Sequence, residues 1–133
     1  MSNVDLLHAV KSYWSTNATL TNLCSNVVLE SEVDPSVARP YVVISEPIDA
    51  SVTLSFGRNR VNSHAVRFEV FADTRAACVA LLHAIEDQYR TAQLTCTRYV
   101  KVHFPDYLGS GTRRMNDCWK GRLDVEYYTE FRP

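Results

Sequence analysis

Residues 119–132 alternate without exception between two kinds of side chain. One set is mainly apolar and comprises Trp119, Gly121, Leu123, Val125, Tyr127, Thr129 and Phe131. The other set is polar and comprises Lys120, Arg122, Asp124, Glu126, Tyr128, Glu130 and Arg132. A repeat of two residues is the period of a β-strand, whose successive side chains point to opposite faces of the sheet. The alternation therefore predicts one long strand with an apolar face on the core and a polar face in solvent, as in antiparallel sheets.

Two other segments have the helical period instead. The first runs from Val4 to Ser15, and its apolar stripe consists of Leu6, Leu7, Val10, Tyr13 and Trp14. The second begins at a cap on Asp73 or Thr74 and extends to about Thr91. Its stripe consists of Cys78, Leu81, Leu82, Ile85 and Tyr89. Because apolar residues at these spacings share one side of a helix, both segments are predicted to form amphipathic helices.

Strand-forming runs lie between the two helices. Val27–Leu29 and Tyr41–Ser45 are short apolar runs, which are typical of buried strands. The segment from Ser51 to Ala72 is divided by the turn residues Gly57-Arg58-Asn59-Arg60, which predicts a long β-hairpin with a basic tip. With about ten residues in each arm, the hairpin would extend roughly 30 Å. It could project towards a neighbouring molecule or fold back on its own sheet.

The region after the second helix contains one more predicted strand and a loop. Arg98 to Phe104 alternates, with Val100, Val102 and Phe104 predicted to face inward. Pro105 to Asp117 contains two glycines and no sustained alternation, so we predict a loop there.

The order of these elements defines the fold class. A helix is followed by four strands, a second helix and two strands, and the 133 residues suit one domain. Helices segregated against a sheet of this kind are typical of α+β proteins. We therefore expect residues 1–133 to form a single α+β domain, with a mostly antiparallel sheet, a long β-hairpin and two main flanking helices.

The residue types that support catalysis or metal binding do not form a recognisable motif. The cysteines at 24, 78, 96 and 118 include no Cys-x-x-Cys pair, and the four histidines are scattered along the chain. Gly109-Ser110-Gly111-Thr112 lacks the Gly-Lys-Ser/Thr ending of a phosphate-binding loop. We therefore expect no catalytic residues, no metal, no cofactor and no disulfide framework, and hence a protein that is not an enzyme.

The sequence also bears on membranes and compartment. No apolar stretch of about 18 residues could span a bilayer. The first residues lack the basic and apolar regions of a signal peptide, and free cysteines suit a reduced cytoplasmic environment.

Basic residues concentrate at two places, Arg58 with Arg60 in the hairpin turn and Arg113 with Arg114 in the predicted loop. The formal net charge is −1, which gives no general attraction to nucleic acid. Aromatic residues beside positive charge would suit a single-stranded nucleic-acid-binding module, and this remains an alternative hypothesis. An interaction protein that docks onto copies of itself agrees better with a long hairpin, a glycine-containing loop and a charged strand face.

Several segments together resemble the tail terminator, or tail completion, proteins of long-tailed bacteriophages. They are the Leu6-Leu7-x-Ala9 helix, the run Arg39–Ile44, the strand Val66–Ala72, the helix from Thr74 to Tyr89 and the closing strand Trp119–Val125. The resemblance spans nearly the whole chain. Neck connectors of the head–tail joint have similar lengths and patterns, so a connector is the alternative within the phage tail.

The resemblance implies a structural role without catalysis or cofactor. It implies a ring of six copies that sits on the tail tube protein, stops elongation of the tube and offers the surface for the head–tail connector. Such a protein would act at the neck-proximal end of the virion tail, after assembly in the host cytoplasm. Ring contacts in this family involve the hairpin and loops. The resemblance therefore implies a subunit or tube interface at Arg58, Asn59, Arg60, Arg113 and Arg114.

Overall fold

The computed structural model describes residues 4–32, 38–47, 52–56, 59–96 and 99–131. These ranges contain the helices α1 (Val4–Thr16), α2 (Ala18–Leu23) and α3 (Arg75–Tyr89). They also contain the strands β1 (Val27–Leu29), β2 (Tyr41–Ser45), β3 (Val52–Phe56), β4 (Asn59–Ala72), β5 (Tyr99–Val102), β6 (Asp106–Arg114) and β7 (Trp119–Phe131). A short 3₁₀ turn, Glu30–Glu32, follows β1. None of the helices described is long and apolar enough to cross a membrane.

The seven strands form one sheet, in which β1, β2, β4, β7 and β5 are successive neighbours. Strand β3 pairs with β4 and strand β6 pairs with β7. Strands β1 and β2 are parallel, whereas the other pairs are antiparallel. The predicted α+β fold with a mostly antiparallel sheet is therefore confirmed.

The centre of the sheet is the long pairing of β4 with β7. The register runs without interruption from Val61 opposite Glu130 to Ala72 opposite Trp119. Alternate residues of β7, from Gly121 to Thr129, are buried, while the residues between them are partly or fully exposed. The strand predicted from the alternation over residues 119–132 is thus confirmed, with Arg132 lying outside the described residues.

The helices cover one face of this sheet and enclose a single core. The core contains residues from the predicted stripes of both long helices and from the two central strands, including Leu6, Val10, Trp14, Cys78, Leu81, Ile85, Val66, Phe68, Val70, Leu123, Val125 and Tyr127. The stripe on α3 is confirmed in full, because Cys78, Leu81, Leu82, Ile85 and Tyr89 are all buried. Such burial supplies most of the stability of an amphipathic helix.

Buried hydrogen bonds fix how the helices meet. The Tyr89 hydroxyl of α3 donates to the Val10 carbonyl of α1 at 2.6 Å. The Trp14 indole nitrogen donates to the Cys24 carbonyl at 2.8 Å, which closes α2 against α1. At the start of α3 the Thr74 side chain accepts a hydrogen bond from the Ala77 amide at 3.1 Å, as expected of an N-cap.

The predicted β-hairpin is present, but its paired part is short. Strand β3 pairs with β4 over five residues on each side, from Val52 opposite Ser63 to Phe56 opposite Asn59. From Val61 onward β4 is also paired with β7, so most of the second arm belongs to the centre of the sheet. Ser51, Gly57 and Arg58 lie outside the described residues.

The loop predicted over Pro105 to Asp117 is wrong. Most of it is strand β6, which pairs with β7 from Asp106 opposite Glu126 to Arg114 opposite Trp119, with a register shift after Tyr107. The burial alternation that identifies other strands is absent because β6 lies at the sheet edge and most of its side chains are exposed. Phe104, which was predicted to face inward, is 50% exposed just before this strand.

Candidate assembly interface

The five residues expected at an interface fall at two places in the sheet. Asn59 and Arg60 are the first residues of β4, opposite Phe56 and Ser55 of β3, and Arg58 lies outside the described residues. Arg113 and Arg114 are the last two residues of β6.

These two places lie at opposite ends of the molecule. Arg114 is paired with Trp119, at the start of β7. Val61, next to Arg60, is paired with Glu130, at the other end of the same strand. Eleven residues of strand separate the two positions, a distance of roughly 36 Å at the usual rise per residue. The register therefore places the two groups of predicted interface residues at opposite ends of β7.

Arg113 and Arg114 keep their charges available to a partner. Both side chains are exposed, and neither lies within ion-pair distance of a carboxylate in the part of the chain that is described. The Arg114 guanidinium lies 5.9 Å from the centre of the Trp119 ring, and an Arg113 nitrogen donates to the Met115 sulfur at 3.4 Å. These contacts orient the guanidinium groups without neutralising them.

The outer edge of β6 is an accessible backbone edge. Among the described strands, β6 pairs with β7 alone. A Cβ added at Gly109 or Gly111 would meet nothing within 4 Å, so another chain can approach closely at both positions. Leu108 is 56% exposed in the same strand. Long edge strands normally carry features that discourage pairing, whereas the backbone of β6 is open to an incoming strand at two glycines.

The face of the sheet opposite the helices carries a network of ion pairs. Arg67 of β4 lies directly across from Asp124 of β7, and the two side chains are 2.8 Å apart. Lys120 pairs with Glu69 at 2.6 Å. The hydrogen bond with Asp124 raises the pKa of Arg67. Much of the charge on this face is therefore neutralised within the chain.

A depression of about 540 Å³ lies beside this network. Its wall includes Tyr41 and Phe71, whose rings stack with centres 4.6 Å apart. Arg39 crosses it and pairs with Asp73 at 3.0 Å and with Asp117 at 3.3 Å. Because Arg39 is already engaged with two carboxylates, the depression offers packing surface rather than a reactive group.

The cysteines are buried as small apolar groups. All four are free thiols with little solvent exposure, and Cys78 packs in the core as the sequence predicted. Burial raises the pKa of the Cys96 thiol to about 11, which disfavours the reactive thiolate. Within the described ranges no group of three or more His, Cys, Asp and Glu side chains is placed to hold a metal ion.

Sequence reasoning found the basic residues but missed the strand that carries two of them. The signal that could have identified β6 is its position before β7, separated by only Met115–Cys118, since a strand pair joined by a short connection is normally a hairpin. The exposure of Leu108 could not be predicted from the sequence, because it depends on which side of β7 the strand β6 occupies.

No protein-family model and no curated protein sequence matches the chain, but solved structures share its fold. A chain from the virion of a native gene transfer agent particle superposes with a TM-score of 0.78 and 21% sequence identity, covering 95% of both chains. The gp17 protein of bacteriophage SPP1 superposes with a TM-score of 0.57 and 19% identity, covering 90% of this chain and 85% of that one. The resemblance to phage proteins is therefore confirmed at the level of the fold.

Proposed function

We propose that this chain is a structural protein of a phage or phage-like tail, and that six copies form a ring which caps the tail tube. The observation that carries the proposal is the fold shared with a gene transfer agent virion chain over 95% of both chains. It supports a shared structural role in a particle more directly than it supports catalysis.

The distribution of surface features favours a ring. Subunits in a ring contact each other through two different surfaces, one on each side of the subunit. This chain has distinct surfaces at opposite edges of one sheet, namely the β1 edge and the exposed edge of β6. A rotation of about 60° between neighbours closes such contacts into six copies.

Capping requires a subunit with two unlike surfaces along the ring axis. A tube grows because the top of each ring matches the bottom of the next. A terminator binds the last ring of tube protein below and presents a different surface above, so another tube ring cannot add. That upper surface is then free to receive the head–tail connector at the neck-proximal end of the tail.

Tail length tests the proposal most simply. Deleting the gene for this chain should give particles whose tails have uncontrolled length and are not joined to heads, as seen by electron microscopy. Supplying the wild-type chain in trans should restore uniform, joined tails. Uniform tails that remain unjoined to heads would contradict termination and identify a neck connector instead.

The nucleic-acid alternative has its own test. A single-strand-binding module should retard a labelled oligonucleotide at low salt, with an affinity that falls steeply as salt is raised. We expect no such salt-dependent retardation, because the formal net charge of −1 gives no general attraction to nucleic acid.

A further inference from the structure

We infer that Arg113 and Arg114 of one copy dock into an acidic groove at the opposite edge of the sheet in the next copy. The inference rests on the proposed ring and specifies one contact that would close it. The acidic groove is lined by Leu7, His8, Leu29, Glu30, Ser45 and Glu46.

The acidic groove suits an arginine side chain in size and chemistry. Its volume is about 390 Å³, and Leu7 and Leu29 supply an apolar wall beside the carboxylates. Glu30 is exposed and forms no ion pair within the described part of the chain. An arginine places its aliphatic stem against apolar surface and can bind a carboxylate through two parallel hydrogen bonds. The groove is therefore complementary to an arginine in both shape and charge.

The two arginines lie at the end of an accessible edge strand, β6. Arg113 and Arg114 are exposed, and they end the strand that carries the open positions Gly109 and Gly111. The edge strand β6 thus presents positive charge with little side-chain bulk in front of it.

Arg113 and Arg114 cannot reach the acidic groove of their own copy. Strand β1, which leads into Glu30, and strand β6 lie on opposite sides of β2, β4 and β7. Four strand spacings separate them, or roughly 19 Å, which is farther than an arginine side chain reaches. A contact between unlike edges of identical chains is heterologous and closes into a ring when the rotation allows it.

Charge reversal on each side tests the contact. Arg113→Glu with Arg114→Glu should raise the protein concentration needed for ring assembly by at least about tenfold, since like charges then face each other. The control is Arg75→Glu at the exposed start of α3, which should leave that concentration unchanged. Sedimentation and negative-stain electron microscopy measure assembly, and thermal unfolding checks that each variant is folded.

Mixing complementary variants gives the sharper test. Glu30→Arg with Glu46→Arg should also impair assembly, and Glu30→Arg alone serves if the double variant is unstable. An equimolar mixture of this groove variant with the Arg113→Glu, Arg114→Glu variant should form rings, because each reversed edge then meets a reversed groove. Misfolding of either variant would not produce that recovery.

Two results would overturn the inference, and they differ from failure of the proposed function. If wild type forms rings and both reversed variants assemble equally well, the ring uses other surfaces and the capping proposal stands. If wild type never self-associates, the two surfaces have no useful affinity and the inference fails. The capping proposal is judged separately by tail length, which does not depend on assembly of the isolated chain.

Discussion

Gly121 of β7 lies so close to Cys78 of α3 that a Cβ at position 121 would be 2.6 Å from the Cys78 sulfur. The same Cβ would be 2.9 Å from a methyl carbon of Leu82. Real Cβ atoms do not approach other heavy atoms at such distances, so the missing side chain lets α3 pack directly on the sheet. This contact sets the spacing between the helix and the strand that organises the fold.

Gly121→Ala should therefore destabilise the protein by about 1–3 kcal/mol, through overpacking against α3. Gly111→Ala is the matched control, because a Cβ there meets nothing within 4 Å. Urea unfolding of the two variants measures the difference. Equal stability of the two variants would show that α3 moves away from the sheet at little cost.

Two buried tyrosines should respond oppositely to loss of the hydroxyl. The Tyr127 hydroxyl is buried and has no hydrogen-bond partner among the described residues, so Tyr127→Phe should leave stability unchanged or raise it by about 1 kcal/mol. The Tyr89 hydroxyl donates to Val10 at 2.6 Å, so Tyr89→Phe should lower stability by about 1 kcal/mol. Thermal unfolding compares them, and a larger loss for Tyr127→Phe would contradict the assignment.

His64 should make the protein less stable in mild acid. Burial lowers the pKa of His64 below its usual 6.5, although the nearby Glu46 charge opposes the shift. The unfolded chain therefore takes up this proton at a higher pH than the folded chain does, and stability falls as pH drops below about 6.5. His64→Gln should lose less stability than wild type between about pH 7.5 and pH 5.5, measured by urea midpoints. His83→Gln, at an exposed site on α3, is the control, and equal losses in all three proteins would contradict the prediction.

The hairpin tip should matter for assembly and not for folding. The structure places Arg60 in β4 and not in the predicted turn. Arg58→Glu with Arg60→Glu should still change the free energy of unfolding by less than about 0.5 kcal/mol, because charges at the end of a hairpin contribute little. The same variant should weaken capping of tail tubes, which is measured as the fraction of tails with uniform length. Unchanged tail length with this variant would remove the tip from the interface.

The elements that could be predicted from the sequence are those in which the spacing of apolar residues shows which side of the element is buried. Strand β7 alternates between buried, mainly apolar residues such as Leu123 and polar residues such as Asp124, because one of its faces packs on the core. Helix α3 carries a stripe from Cys78 to Tyr89 for the same reason. In both, burial on one side of a single element leaves a period in the sequence.

Strand β6 could not be predicted in this way because both of its faces are largely exposed. Its identity depends on backbone hydrogen bonds to β7, and those leave no pattern in Gly109 to Thr112. The candidate interface has the same limitation. Arg60 and Arg113 are visible as basic residues, but their separation to opposite ends of the sheet follows from the register of β4 and β6 on β7.

The most direct test of the central claim is to count and locate this chain in purified particles. A stoichiometric label on the chain, with cryo-electron microscopy of the labelled particles, gives both quantities at once. The proposed function predicts a single ring of six copies where the tail meets the head. Copies distributed along the tube, or a cluster at the tail tip away from the head, would contradict it.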